Sequence, residues 1–273
     1  MKLWKEDRLI MPKFLLLVCA VFIFSVKLAL AHDFWISPSD YKPVSNTEIG
    51  LDVRVGQNFQ GDSLPRIDDW FTRFEIMDAK GLRNVEGFLG DDPAGSVKIG
   101  KSLAVIIYQS NRTFVELDAE KFESYLRDEA LENIIELRRE LGEDQEKGRE
   151  WFSRYAKTLI KPVGAVSTGS DHDFAMTLEI VPLQDPYRVS VGDDLSLRLI
   201  YLGKPLSGIQ LVAYNVAAPT EKKRVYTDIN GKAEITLNRD GEWLVKAVHM
   251  IRAPVNKEGV DWESFWASLT FDI

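Results

Sequence analysis

The strongest constraint on the fold of this chain is a two-residue alternation, broken at short intervals by turn chemistry. Leu195, Leu197, Leu199 and Tyr201 alternate with Ser196, Arg198 and Ile200. Successive strand residues point to opposite faces, so such a segment is a strand with one side in a core. Gly203-Lys204-Pro205-Leu206-Ser207-Gly208 then turns the chain into a strand from Ile209 to Val216. Asn230-Gly231 is a hairpin signal between Arg224–Asp228 and Ala233–Leu237, and Asp240-Gly241 leads into Trp243–Met250. Short strands with turns about every 8–12 residues predict an antiparallel sandwich over 163–273.

Residues 32–117 carry the same signal. Ile49, Leu51, Val53 and Val55 alternate with polar residues, Phe71–Met77 is a second strand, and Asp78-Ala79-Lys80-Gly81 a turn. Leu103–Tyr108 is continuously apolar, as in a strand covered on both faces. Gly87–Gly100, rich in Gly, Asp and Pro, reads as loop.

Between the two units, 118–162 reads as a helical insertion. Phe122, Leu126, Ala130, Ile134, Leu137 and Leu141 recur every three or four residues, with Asp118 as N-cap and Gly142 as stop. A second helix is expected from about Asp144 to Ile160, with Trp151, Phe152, Tyr155 and Leu159 as its stripe and Pro162 ending it. The predicted class is mainly β: two antiparallel β-sandwich units, immunoglobulin-like or transthyretin-like, with an α-helical insertion between them.

Residues 1–31 read as a secretory signal peptide. Lys13 precedes an apolar run from Phe14 to Val26, and Ala29-Leu30-Ala31 forms a cleavage box. Met11 is an alternative start. The run is too short for a permanent span, and no second stretch of spanning length follows. This predicts a periplasmic protein. The only cysteine, Cys19, falls within the signal segment, so the mature chain has no disulfide, thiol nucleophile or zinc-thiolate site. Removing 1–31 leaves 29 basic and 40 acidic residues, a net charge of −11. That balance argues against nucleic acid and anionic membrane surfaces as partners.

Cleavage after Ala31 would make His32 the first residue. Its free α-amine, titrating near ~7.7–8, and its ring Nδ1 could then chelate one metal ion. All-nitrogen chelation suits late first-row divalent ions: Cu(II) most, then Ni(II). The other two histidines are His172, in a polar loop between Asp171 and Asp173, and His249 on the strand Trp243–Met250. The candidate metal ligands are therefore His32, His172 and His249. Asp33, Asp171 and Asp173 could orient the rings, and Met250 would be a soft ligand for cuprous ion. A solvated loop explains His172 equally well. His249 shares its strand face with Trp243, Val245 and Ala247, as a core histidine would.

Other constellations are weaker. Asp68-Asp69 and Asp91-Asp92 lack EF-hand spacing. There is no G-x-S-x-G elbow and no Gly-rich phosphate loop. Trp262, Phe265, Trp266 and Phe271 could stack on a sugar, but Trp262 and Trp266 have opposite strand parity to Phe265 and Phe271, which favours packing on two faces.

Several segments together resemble the DUF4198 family: His32-Asp33-Phe34-Trp35-Ile36-x-Pro38, Arg154-Tyr155-Ala156-Lys157-Thr158-Leu159-Ile160, Gly203-Lys204-Pro205-Leu206-x-Gly208, Thr227-Asp228-x-x-Gly231, Gly241-x-Trp243 through Met250, and Asp261-Trp262 through Phe271. The set is specific although each motif alone is weak. The resemblance implies a β-rich periplasmic protein associated with nickel and cobalt transport; it implies no ligand set. The C-terminal unit also resembles carboxypeptidase-regulatory-like sandwiches, which are usually non-catalytic.

These readings converge on a periplasmic protein that binds Ni(II) or Co(II), with copper as a further candidate, for a membrane metal transporter. Binding is favoured over catalysis. The alternatives are a histidine-brace copper enzyme and a non-catalytic β-sandwich module that binds carbohydrate or protein.

Overall fold

The computed structural model describes residues 33–166, 169–254 and 259–273. The expected signal peptide and His32 lie outside the described residues. In chain order the strands are β1 (Asp33–Pro38), β2 (Glu48–Gln57), β3 (Gln60–Leu64), β4 (Phe71–Asp78), β5 (Gly81–Asn84), β6 (Gly95–Lys98), β7 (Ala104–Ser110), β8 (Thr113–Leu117), β9 (Gly148–Ile160), β10 (Leu178–Pro182), β11 (Asp194–Tyr201), β12 (Lys204–Pro205), β13 (Gln210–Asn215), β14 (Lys223–Tyr226), β15 (Lys232–Thr236), β16 (Glu242–Arg252) and β17 (Trp262–Asp272). Two helices, α1 (Ala119–Asp128) and α2 (Glu132–Glu140), separate β8 from β9. The protein is mainly β, as the alternation predicts.

A nine-stranded sheet carries both halves of the chain. Its order is β14-β13-β16-β17-β9-β7-β4-β5, with β8 beside the first half of β9. The contact between β17 and β9 is parallel, from Trp262 opposite Glu150 to Thr270 opposite Thr158. The smaller sheets, β1-β2-β3 with β6 and β10-β11-β12 with β15, cover opposite faces of it.

One face of the large sheet presents Val105, Ile107, Tyr155, Leu159, Val245, Ala247, Phe265 and Leu269 to Leu178, Ile180, Leu195, Leu197 and Leu199 of the second small sheet. The other face presents Phe74, Ile76, Ile106, Tyr108 and Ala156 to Phe34, Ile36, Leu51 and Val53 of the first. Further along that second face, Val248, Met250 and Trp262 meet Phe122, Leu126 and Ile134 of the helices. Strand β1 is pinned across the centre, where the Thr270 hydroxyl donates to the Ile36 carbonyl at 2.9 Å.

Four expectations are corrected. The helix expected over 144–160 is β9, the central strand, so 118–162 is helical only in its first half. Residues 155–160 are buried on both sides, which erases alternation, and the aromatic and β-branched content of Trp151–Ile160 suits a strand. The single helix expected to Leu141 is two, broken where Ala130 takes φ 56°; Gly142, at φ 71°, does follow α2 as its stop. The Asn230-Gly231 turn forms, with the Asp228 carboxylate accepting from the Asn230 and Lys232 amides at 2.8 Å. It joins strands of two different sheets, however, since β14 pairs with β13 and β15 with β11. The segment expected as loop over 87–100 also contains β6, paired with the start of β2.

Candidate functional site

The largest concentration of buried ionisable groups lies where β1 begins. Asp33 is 3% exposed because β1 crosses the large sheet there and aims its carboxylate at β13 and β16. Oδ1 accepts from Lys246 Nζ at 2.8 Å, and Oδ2 accepts from the Tyr214 hydroxyl. Lys246 Nζ also donates to both oxygens of Glu129, at 2.8 and 3.0 Å. Glu129 caps α1, so this ammonium ties the helix, the sheet and the first strand together. Lys222 Nζ lies 5.3 Å from the Tyr214 ring centroid.

The electrostatics follow from burial. Desolvation raises the Glu129 carboxyl above its usual range against the pull of Lys246. Desolvation disfavours the Lys246 ammonium, yet Glu129 and Asp33 together more than offset it and hold its pKa above the ordinary value. Burial, reinforced by the Asp33 charge, raises the Tyr214 phenol, so it stays a donor.

Next to this cluster, Trp266 stacks on Tyr125 of α1, with centroids 5.7 Å apart and planes 13° from parallel. The Tyr125 hydroxyl donates to Glu150 Oε1 at 3.1 Å, Ser264 donates to the same oxygen, and Trp266 Nε1 donates to Ser264 Oγ at 2.9 Å. Glu150 is 2% exposed and pairs with no cation among the described residues; desolvation pushes its carboxyl up to about 7, against the two hydroxyl donors. Of all these groups, only Asp33 was singled out by sequence. Glu129, Glu150, Lys246 and Tyr214 come from separate elements and share no spacing that could announce them.

The other expected ligands lie elsewhere. Along β16, Lys246, Val248 and Met250 point to the face covered by β1 and the helices, whereas Val245, Ala247 and His249 point to the opposite face. His249 packs there against Tyr201 and Phe265, with centroids at 4.7 and 6.2 Å, and desolvation lowers its imidazole to about 4. Met250, on the other side of the strand, cannot share a metal with it.

His172 is exposed, its ring 4.7 Å from that of Phe174. Its loop is fastened to the same face as His249 by Lys157 and Glu179, a pair with no solvent access. Glu179 also accepts from the Phe174 and Met176 amides at 3.1 and 3.3 Å. Asp173 closes a local turn onto the Ala175 amide at 2.7 Å, and Asp171 is exposed. Among the described residues, no group of three or more His, Cys, Asp or Glu side chains is arranged to hold a metal ion. The structure therefore brings Asp33 into a cluster and leaves His172 and His249 across the sheet from it.

The aromatic set at the C-terminus packs on two faces, as its parity predicts. Phe265 and Phe271 enter one core, Trp262 and Trp266 the helical one.

No helix among the described residues is long and apolar enough to cross a membrane. No curated protein matches the chain. Solved structures with similarity include the D0-D1 domain of intimin (13% identity, 88% of this chain and 97% of that one, TM-score 0.20). Two others are three N-terminal domains of the outer capsid protein Hoc of bacteriophage RB49 (11%, 88% and 59%, 0.18) and latent PorU of Porphyromonas gingivalis (10%, 90% and 21%, 0.18). Scores this low carry no inference about function. The model of the DUF4198 family, a domain of unknown function, matches residues 29–251. That match takes in β1, the Asp33–Lys246 clamp and both helices, and on it this chain belongs to the DUF4198 family.

Proposed function

We propose that this protein is a periplasmic, non-catalytic metal-binding protein. It takes up Ni(II) or Co(II), with Cu(II) as competitor, at His32 once a signal peptide has been removed, and passes the ion to a membrane transporter. The observation that carries this reading is the clamp on Asp33, whose two carboxylate oxygens are both engaged, by Lys246 and Tyr214.

Residue 32 is bonded to Asp33, whose carboxylate is held at both oxygens. A free α-amine and the imidazole Nδ1 of His32 would close a six-membered chelate ring on one ion. Asp33 then acts by fixing the backbone, since its oxygens are already used. The surrounding charges, Asp33 and Glu129 against Lys246 and Lys222, are balanced. The ion is thus drawn by nitrogen ligation and not by excess negative charge. His249 lies on the sheet face opposite Asp33, and His172 lies in a loop of that same face.

The test is native mass spectrometry of secreted protein titrated with Ni(II), Co(II) and Cu(II). The reading expects a mass beginning at His32, one tightly held ion, loss of that ion in His32→Ala, and retention in His249→Ala. Affinity should fall below about pH 6 as the imidazole protonates. A different N-terminus, or an affinity unchanged by His32→Ala, would overturn it.

A further inference from the structure

Strand β9 carries the run Arg154-Tyr155-Ala156-Lys157. Tyr155 and Ala156 go to the two cores, and Lys157 binds Glu179. Arg154 has no such assignment. It is partly buried on the face shared with β1, opposite Trp266 in the β9–β17 register. Its guanidinium carbon lies 5.1 Å from the Phe34 ring centroid and 4.8 Å from that of Phe152. Desolvation, in the presence of the Tyr108 phenol, lowers it to about 10, so it remains a cation at neutral pH.

Three other cations drawn into the interior have acceptors. Lys157 has Glu179, Lys246 has Asp33 and Glu129, and Arg138 donates to the Glu146 carbonyl at 2.7 Å. The Arg154 guanidinium has none among the described residues; its backbone amide donates to Ser110 Oγ at 2.8 Å. Nor is Arg154 sealed off, since the residue is only partly buried. A guanidinium flanked by two rings, with its N–H fork unused, is set up for planar, bidentate recognition.

We infer that Arg154 binds an organic carboxylate, its two oxygens on the guanidinium fork and its apolar body against the rings of Phe34 and Phe152. One cation in aromatic surroundings balances one negative charge. A dianionic phosphate would be left half-compensated where desolvation is costly. The inference does not depend on the metal-binding reading, because the ligand is an anion and needs no ion at His32.

The experiment is a titration of the full chain without metal, followed by calorimetry and by tryptophan fluorescence. The probes are benzoate, acetate, inorganic phosphate and the neutral benzamide. Saturable benzoate binding is expected, with acetate weaker, phosphate weaker still and benzamide silent. Arg154→Gln should weaken benzoate roughly tenfold or more, with Arg154→Lys in between. If Arg154→Gln does not fold, a several-fold loss in a folded Arg154→Lys carries the same meaning. Absence of benzoate binding, benzamide binding equal to benzoate, phosphate tighter than benzoate, or unchanged affinity in a folded Arg154 variant would each overturn the inference.

Discussion

Lys246 Nζ stands 2.8 Å from Asp33 Oδ1 and 2.8 Å from Glu129 Oε1, joining the first strand to the end of the first helix through a residue near the middle of β16. Removing the ammonium would leave two buried carboxylates facing each other. Breaking a buried pair from one side typically costs about 3–5 kcal/mol, more than the pair itself contributes. Lys246→Met should therefore lower the stability of the whole protein by that order in chemical denaturation. A loss below about 1 kcal/mol would mean the clamp is not formed in solution.

Glu150 and His249 should give opposite pH dependences that largely cancel. Burial pushes the Glu150 carboxyl up to about 7 in the folded protein, above its ordinary 4.5, so its contribution is full below about pH 4.5 and is lost as pH rises through 7. Burial lowers the His249 imidazole to about 4 in the folded protein, below its ordinary 6.5, so stability falls as pH drops from 6.5 toward 4. Each shift is worth at most about 3 kcal/mol. His249→Phe should leave a stability that declines from pH 4.5 to 7, and Glu150→Gln one that rises from pH 4 to 6.5. Melting curves across this range, identical in shape for both variants, would refute the assignment.

The Lys157–Glu179 pair holds the loop that bears His172. In Lys157→Met, Glu179 keeps its backbone donors but loses its only counter-charge. Its carboxyl should then be held well above its unfolded value, so the variant should be least stable at alkaline pH, where the carboxylate must ionise. Amide hydrogen exchange at Phe174 and Met176 should speed up. Unaltered exchange there would show that the loop is held by something else.

Gly148 starts β9 directly under α1, and a Cβ there would fall 2.2 Å from Phe122 Cγ. Neither side can yield, since Phe122 is fully buried. Gly148→Ala should cost at least about 1–3 kcal/mol by overpacking. A double-mutant cycle with Phe122→Leu should recover part of that loss; strict additivity would argue that helix and strand do not touch.

The local signals that survive in the structure are those that depend on neighbours in sequence. Alternation at Leu195–Tyr201 gave a strand half in a core, and the turns at Asp78–Gly81 and Asp228–Gly231 form as their side chains dictate. The parity of Trp262, Phe265, Trp266 and Phe271 placed them correctly on two faces, because the strand period is fixed by backbone geometry.

What sequence left open required distant partners. Gly148–Ile160 has a spacing that fits either helix or strand, and only its position between β17, β7 and β8 makes it a strand. The turn at Asn230-Gly231 cannot reveal that its flanks join different sheets, because pairing is settled by β11 and β13. Lys246, Glu129 and Glu150 look like ordinary surface charges until β1, α1 and β16 are brought together and water is excluded. Alternation and turn chemistry alone therefore determined a mainly β chain. Which faces are covered, which charges are buried together, and that the Arg154 guanidinium meets rings and no acceptor among the described residues were decided by tertiary packing, since desolvation and pairing are properties of neighbours in space.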